Sequence, residues 1–194
     1  MLQLFGYLSG FLIAIEFIPY IRDILRGKTK PQRTTWFIFL LLGGIAFFSQ
    51  LAKGATNSLW LPGIITIGVS VTFLLSLWFG VGGFQKKDYI VLVLTLLGLI
   101  AWYFTKEAAI ALYIVILIDA AGTYLTVEKA YHHPETETIL LWILSSLGGF
   151  FAMLAVGQWN IILLSYPLFI FLADASVVTA ILLGKRTKKE AKIG

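Results

Sequence analysis

Cysteine is absent from this 194-residue chain, which excludes disulfides and thiolate metal sites while leaving the compartment open. Charge is scarce as well. With 13% charged against 59% hydrophobic residues and a mean hydropathy of +0.89, too little polar surface remains to cover a water-soluble core. An integral, multi-pass membrane protein follows. Histidine occurs twice, as His132-His133 beside Pro134-Glu135, and adjacent histidines without other ligands make a solvated loop, so neither a metal nor a cofactor is implied. No nucleophile stands with a base, and no glycine-rich phosphate loop follows a strand, so an enzyme is not expected. The start, Met-Leu-Gln-Leu-Phe-Gly, lacks a basic region and a small-residue cleavage site, so the first helix is expected to remain as a span.

What is present is a series of apolar runs. Each spanning helix needs roughly 20 residues to cross about 30 Å of hydrocarbon. The chain therefore holds seven helices, read as 4–25, 34–52, 59–79, 89–105, 108–128, 138–156 and 160–183. The positive-inside rule orients them. With the N-terminus outside, thirteen of the fifteen basic residues fall inside, namely Arg22, Arg26, Lys28, Lys30, Arg33, Lys86, Lys87, Lys129, Lys185, Arg186, Lys188, Lys189 and Lys192. Lys53 and Lys106 are left outside. The net charge of +5 is thus a topology signal, and no nucleic-acid partner is expected. The basic C-terminal run is cytoplasmic and close to anionic headgroups of the bilayer. A prokaryotic inner membrane is the expected location.

Leu42-Gly43-Gly44 recurs as Leu147-Gly148-Gly149, and Pro62 recurs as Pro167, both at a shift of 105 residues. Tyr20 and Tyr124 pair at 104, and Pro31 with Pro134 and Gly54 with Gly157 at 103. An odd helix count with a same-direction repeat requires a particular plan: an all-α membrane protein of two parallel three-helix repeats joined by an inversion linker helix. The units are residues 1–83, the linker 84–107, and 108–194 with its basic tail. Gly6 and Gly10 form a small-xxx-small face for close helix contact. The glycine doublets mark either tight packing or a flexing point, and Pro62 and Pro167 either kinks or first-turn residues. The six tryptophans fall near predicted helix ends, as an interfacial belt does.

Three acids lie deep inside apolar runs: Glu16, Asp119 and Asp174. A carboxylate at the centre of a spanning helix costs roughly 2.5–3.5 kcal/mol even on lenient scales, so each is expected to face a cavity or a polar group. No lysine or arginine shares their depth. Desolvation without a cationic partner disfavours the charged form, so at least one of the three is expected to hold a proton near neutrality. Two roles fit such a group: carrying protons or meeting a cationic solute, against the alternative of a fixed interhelical hydrogen bond. Glu16, Pro19 and Tyr20 are spaced to share one face of the first helix, and Pro19 predicts a break or hinge there. In the second copy Gly122-Thr123 precedes Tyr124, and the glycine supplies the flexibility. Thr66 and Ser70 on the third helix, Ser145-Ser146 on the sixth and Gln50 near the outer end of the second are further candidates for a polar lining.

The stretch Phe17-Ile18-Pro19-Tyr20-Ile21-Arg22-Asp23-Ile24-Leu25-Arg26-Gly27-Lys28-Thr29, followed by Thr34-Thr35-Trp36, resembles the PQ-loop pattern. That pattern is a helix-end proline, basic residues, then hydroxylated residues before an aromatic-rich helix. It is similar to the SWEET and semiSWEET sugar transporters and to the wider PQ-loop group, which includes lysosomal amino acid exporters and the KDEL receptor. The family's Pro-Gln falls on Pro19-Tyr20, and the literal Pro31-Gln32 lies in the following loop. The resemblance implies a three-one-three bundle that alternates between outward and inward access. It also implies a proton role for acids on the fifth and seventh helices, where Asp119 and Asp174 stand. Sugar carriers of this type use an asparagine on the third helix of each repeat. Thr66, Ile67, Leu172 and Asp174 occupy those regions here, which argues against a sugar.

The function expected is a secondary transporter of a small polar metabolite, its substrate unnamed by the sequence, with protons as a second partner. A non-transporting receptor or scaffold of the same fold is the alternative. A homo-oligomer is compatible with either.

Overall fold

A computed structural model describes residues 1–27, 30–83 and 86–190. Lys28 and Lys192, used above for orientation, lie outside the described residues, as do the side chains of Lys87, Lys129 and Lys189. The fold is all-helical: α1 (Leu2–Leu25), α2 (Arg33–Ala52), α3 (Trp60–Phe79), α4 (Lys86–Thr105), α5 (Ala108–His132), α6 (Ile139–Val156) and α7 (Ile161–Glu190). Single 3-10 turns, Asn57–Leu59 and Pro134–Thr136, precede α3 and α6. Among the described residues six helices are long and apolar enough to cross a membrane, and α4 is apolar over Leu92–Thr105. The boundaries follow the hydropathy closely, except that α5 and α7 run further, to His132 and Glu190, α7 through the polar helix formers that follow its apolar run.

Short connections make successive helices antiparallel, so the bundle has two ends. One carries Met1 and the α2–α3, α4–α5 and α6–α7 connections. The other carries the remaining connections together with Arg22, Arg26, Lys30, Arg33, Lys86, Lys185, Arg186 and Lys188, and is the basic end. Lys53 and Lys106, which sit at the Met1 end, are both partnered: Lys53 pairs with Glu107, and the Lys106 ammonium lies 4.3 Å from the Tyr103 ring centre.

Helix pairing is selective. α3 packs against both α1 and α2, and α7 against both α5 and α6. α1 also lies against α6, α2 against α5, and α4 covers α5 and α2. Between apolar helices in lipid there is no hydrophobic driving force, so contact depends on close backbone approach and interhelical bonds. Glycine provides the approach. A side chain at Gly6 would strike the Asn57 carbonyl, one at Gly10 would crowd Trp60 and Ile64, and one at Gly148 would meet Ile13 at 2.7 Å. The doublets are therefore packing positions, with one refinement. In α2 Gly43 meets α3 at Thr66, whereas in α6 Gly149 meets α7 at Phe171 and Pro167, and Gly44 has open space.

The prolines separate as well. Pro62 stands in the first turn of α3, whereas Pro167 lies inside α7. α1 runs unbroken through Pro19, and α5 unbroken through Gly122-Thr123. The expected break at Pro19 does not occur, because a long helix tolerates the loss of one backbone hydrogen bond when its neighbours hold it straight.

The main apolar core draws Ile13, Leu42, Ile45, Leu61, Leu112, Val115, Ala152 and Tyr166 from six helices. A second, smaller core of Ala130, Val177, Ala180 and Ile181 belongs to α5 and α7 at the basic end, with Ile139 and Trp142 of α6 against it. There the start of α2 is tied to the end of α3, and the α5–α6 connection to α7. Val81 N–H donates to Pro31 O at 2.9 Å, Arg33 N–H to Val81 O at 3.1 Å, and the Arg33 guanidinium to Ser76 O at 3.1 Å. Lys188 donates to Glu135 at 2.9 Å, which holds that exposed carboxyl below its ordinary range.

Because Phe171 N would lie 2.6 Å from a methyl at Gly149, and backbone does not yield, Gly149→Ala is expected to destabilise the fold by about 1–3 kcal/mol. Gly44→Ala, made into open space, is the comparison. A thermal unfolding series in detergent reads both, and equal midpoints would show that α6 and α7 do not need this contact.

Candidate functional site

The three acids come from three helices and meet at Asp174, with Glu16 and Asp119 half-buried. Asp174 on α7, buried, lies within electrostatic range of Glu16 on α1 and of Asp119 on α5. Ser145 on α6 is within reach of both the Glu16 and the Asp174 carboxyls. Each acid occupies the middle of its helix, and the lysines and arginines stay at the ends. Oε2 of Glu16 is buried and has no hydrogen-bond partner. Four helices thus supply one polar layer, in which acceptors outnumber donors.

Tyr166 belongs to this layer and is not among the residues expected from sequence. It is 3% exposed and lies within range of both Asp119 and Asp174. An aromatic inside an apolar run reads as core or belt. The signal that points to it is its place eight residues before Asp174, two turns away on the same face of α7.

Other candidates are placed differently. Gln50, 2% exposed, donates from Nε2 to Ile162 O at 3.3 Å near the Met1 end, and its Oε1 is unpartnered. Thr66 and Ser70 are half-buried, and each bonds one turn back in its own helix, to Pro62 O at 2.7 Å and to Thr66 O at 2.6 Å. Ser146 ties α6 to Phe171 O of α7 at 3.0 Å. Tyr20 is half-buried, its ring 5.2 Å from that of Trp36. Pro19 is exposed, and so is Tyr124 at 69%, so neither is gathered with the acids. The tyrosines matched by the repeat spacing therefore have unlike surroundings.

Grooves of about 390 Å³ and 290 Å³ run along the outside of α1 at Ile18, Ile21, Arg22, Leu25 and Arg26 and of α4 at Leu99, Trp102, Tyr103 and Lys106, away from the acids. His132 and His133 are exposed, with His133 Nδ1 3.6 Å from Glu135. Among the described residues no group of three or more His, Cys, Asp or Glu is arranged to hold a metal ion.

Chemically, a layer of carboxyl and hydroxyl groups with no fixed cation is able to exchange protons or to accept a positively charged or donor-rich solute. Replacing Ser145 by alanine removes the hydroxyl that faces two carboxyls. The expected cost is about 1–3 kcal/mol, seen as a lowered unfolding midpoint. Ser165→Ala, whose hydroxyl bonds Ile162 O in its own helix, is expected to cost less than about 1 kcal/mol. Equal effects would show that the Ser145 hydroxyl does not bridge the acids. No family model, curated protein or solved structure matches this chain, so the site is read from its own residues.

Proposed function

We propose that this chain is a secondary transporter that moves a small polar metabolite by alternating access, with protons exchanged at the acidic layer. In this reading it has the PQ-loop, SWEET-like plan of seven spans, with α1–α3 and α5–α7 as parallel repeats, α4 as the inversion linker, and the basic end in the cytoplasm. The observation that carries the reading is the meeting of Glu16, Asp119 and Asp174 at mid-helix, on the seam where α1 of one set lies against α6 of the other.

The pairing of helices supports the repeat. Exchanging α1 with α5, α2 with α6 and α3 with α7 turns the α1–α6 contact into the α5–α2 contact, and the smaller α3–α6 contact into α7–α2. Within each set the third helix touches both others. Glycines support it too. Gly80 lies where a side chain would strike Pro31 O at 2.6 Å, and Gly184, 104 residues later, where one would strike Tyr131 O. Each closes its set at the basic end.

A buried acid held in place only for packing would be replaced by a hydrophobic isostere in most membrane helices, because lenient scales still charge roughly 2.5–3.5 kcal/mol for it. Retaining three at one level calls for a use. A receptor or scaffold of the same plan is the second reading, favoured by Thr66 and Ser70, whose hydroxyls are spent on their own helix. Solute flux separates the two.

The test begins with a thermal-shift screen of the purified protein against sugars, amino acids and vitamins at two pH values. The solute that stabilises it is then offered to proteoliposomes under an imposed pH gradient. The parent is expected to accumulate it, and Asp119→Asn and Asp174→Asn to lose the gradient-driven component. Uptake by both variants that follows the gradient as in the parent would remove the proton role. No flux for any stabilising solute would favour the receptor.

A further inference from the structure

Among the described contacts the two ends of the bundle are joined differently. Near the Met1 end, contacts run between the sets. Phe5 of α1 stacks on Phe151 of α6 with ring centres 6.1 Å apart, Gln50 of α2 donates to Ile162 O of α7, and Lys53, just after α2, forms an ion pair with Glu107, just before α5. At the basic end the contacts described above stay within a set: the bonds of Pro31 and Arg33 to the end of α3, the rings of Tyr20 and Trp36, and Glu135 with Lys188. The second core there is likewise confined to α5, α6 and α7.

Among the described residues the Met1 end also buries polar groups without a hydrogen-bond partner. Ser9 Oγ, Ser49 Oγ, Gln50 Oε1 and Ser58 Oγ are all buried without a partner. Ser9 and Ser49 are fully buried, and Gln50 nearly so. A buried unsatisfied polar group costs about 1–3 kcal/mol, so such groups persist where another arrangement of the protein satisfies them. Water entering from the Met1 end would do so.

Resting on the transporter reading, we propose that the Met1 end is the closed outer entrance of the pathway, that Ser49 and Gln50 line it, and that the Lys53–Glu107 pair is its lock. The pair lies at the rim of the seam, joining the end of α2 to the start of α5, with the Lys53 side chain 23% and the Glu107 side chain 48% exposed. A partly exposed pair is a suitable latch. It holds the ends together weakly enough to be undone in each cycle. Opening α2 away from α5 and α7 breaks this pair and the Gln50–Ile162 bond together, and hydrates Ser49 and Gln50 as it does so.

The chain's lack of cysteine makes the test direct. Ser49→Cys is reconstituted in vesicles and exposed to a charged, membrane-impermeant methanethiosulfonate reagent from the Met1 side, with and without Glu107→Gln. Thr56→Cys, at an exposed loop position, serves as the reference for fold and orientation. With the pair intact, Ser49→Cys is expected to label slowly. Glu107→Gln is expected to speed it about fivefold, the population shift that a pair of about 1 kcal/mol can hold. Lys53→Met is expected to act likewise, and the exchanged pair Lys53→Glu with Glu107→Lys to restore slow labelling. Thr56→Cys labels at one rate throughout. Labelling of Ser49→Cys that ignores the charge state of both partners, or that fails in every background, overturns the lock. Because labelling needs no solute, a lock that responds in a protein without flux would overturn the transport reading alone.

Discussion

In a bilayer every polar group must be satisfied inside the protein, and this constraint governs both the fold and the site. Backbone groups are satisfied by making every long element a helix, which is why the connections are short and gather at the two ends. Side chains follow the same rule. Thr66, Ser70, Thr72 and Thr179 spend their hydroxyls on the carbonyl one turn back, and Ser76, Ser165 and Ser176 on the one three residues back. Against that background the few groups left unpaired, Glu16 Oε2 among them, mark where the molecule departs from its cheapest arrangement.

The acidic layer is such a departure. Three carboxyls share a level with Ser145, and Tyr166, two turns away on α7, comes within range of two of them; both hydroxyls can donate a hydrogen bond. Hydroxyl donors supply no countercharge, so on the proposed reading the balance comes from protons or from a solute. Both are mobile. On the proposed reading, a layer whose charge is completed by something that comes and goes is suited to coupling, because it draws on helices of both sets.

Much of this was legible in the residues. Spans were readable because apolar runs of about 20 residues are dictated by bilayer thickness, and the acids because a carboxylate in such a run is costly wherever it points. Their convergence was not readable, since spacing along one helix says nothing about which face meets another helix. Tyr166 stayed hidden because aromatics are ordinary in apolar helices. The Lys53–Glu107 pair stayed hidden because its partners are 54 residues apart and join two connections. The matched tyrosines show the opposite error: Tyr20 and Tyr124 share a register in sequence, yet one packs on Trp36 and the other is exposed. Register is inherited with the chain, whereas environment depends on which neighbour the helix has acquired.

Unequal joining of the two sets bears on how they move. α1 follows α6 from Phe5–Phe151 through Ile13–Gly148 to Glu16–Ser145, an approach made close by glycine at Gly148. α2 and α5 share a shorter contact, around Leu42, Ile45, Leu112 and Val115, closed beyond by the Lys53–Glu107 pair. On the proposed reading, rocking has to keep one seam and open the other. Sliding along a glycine-lined seam loses little packing at each step, since neighbouring side chains are exchanged for similar ones. Breaking an apolar contact and an ion pair loses them outright. The α1–α6 seam, where Ser145 faces both Glu16 and Asp174, is therefore the axis, and the α2–α5 seam is the one that parts. The acids then sit near the pivot, where a small displacement changes the distance between carboxyls while the far ends swing.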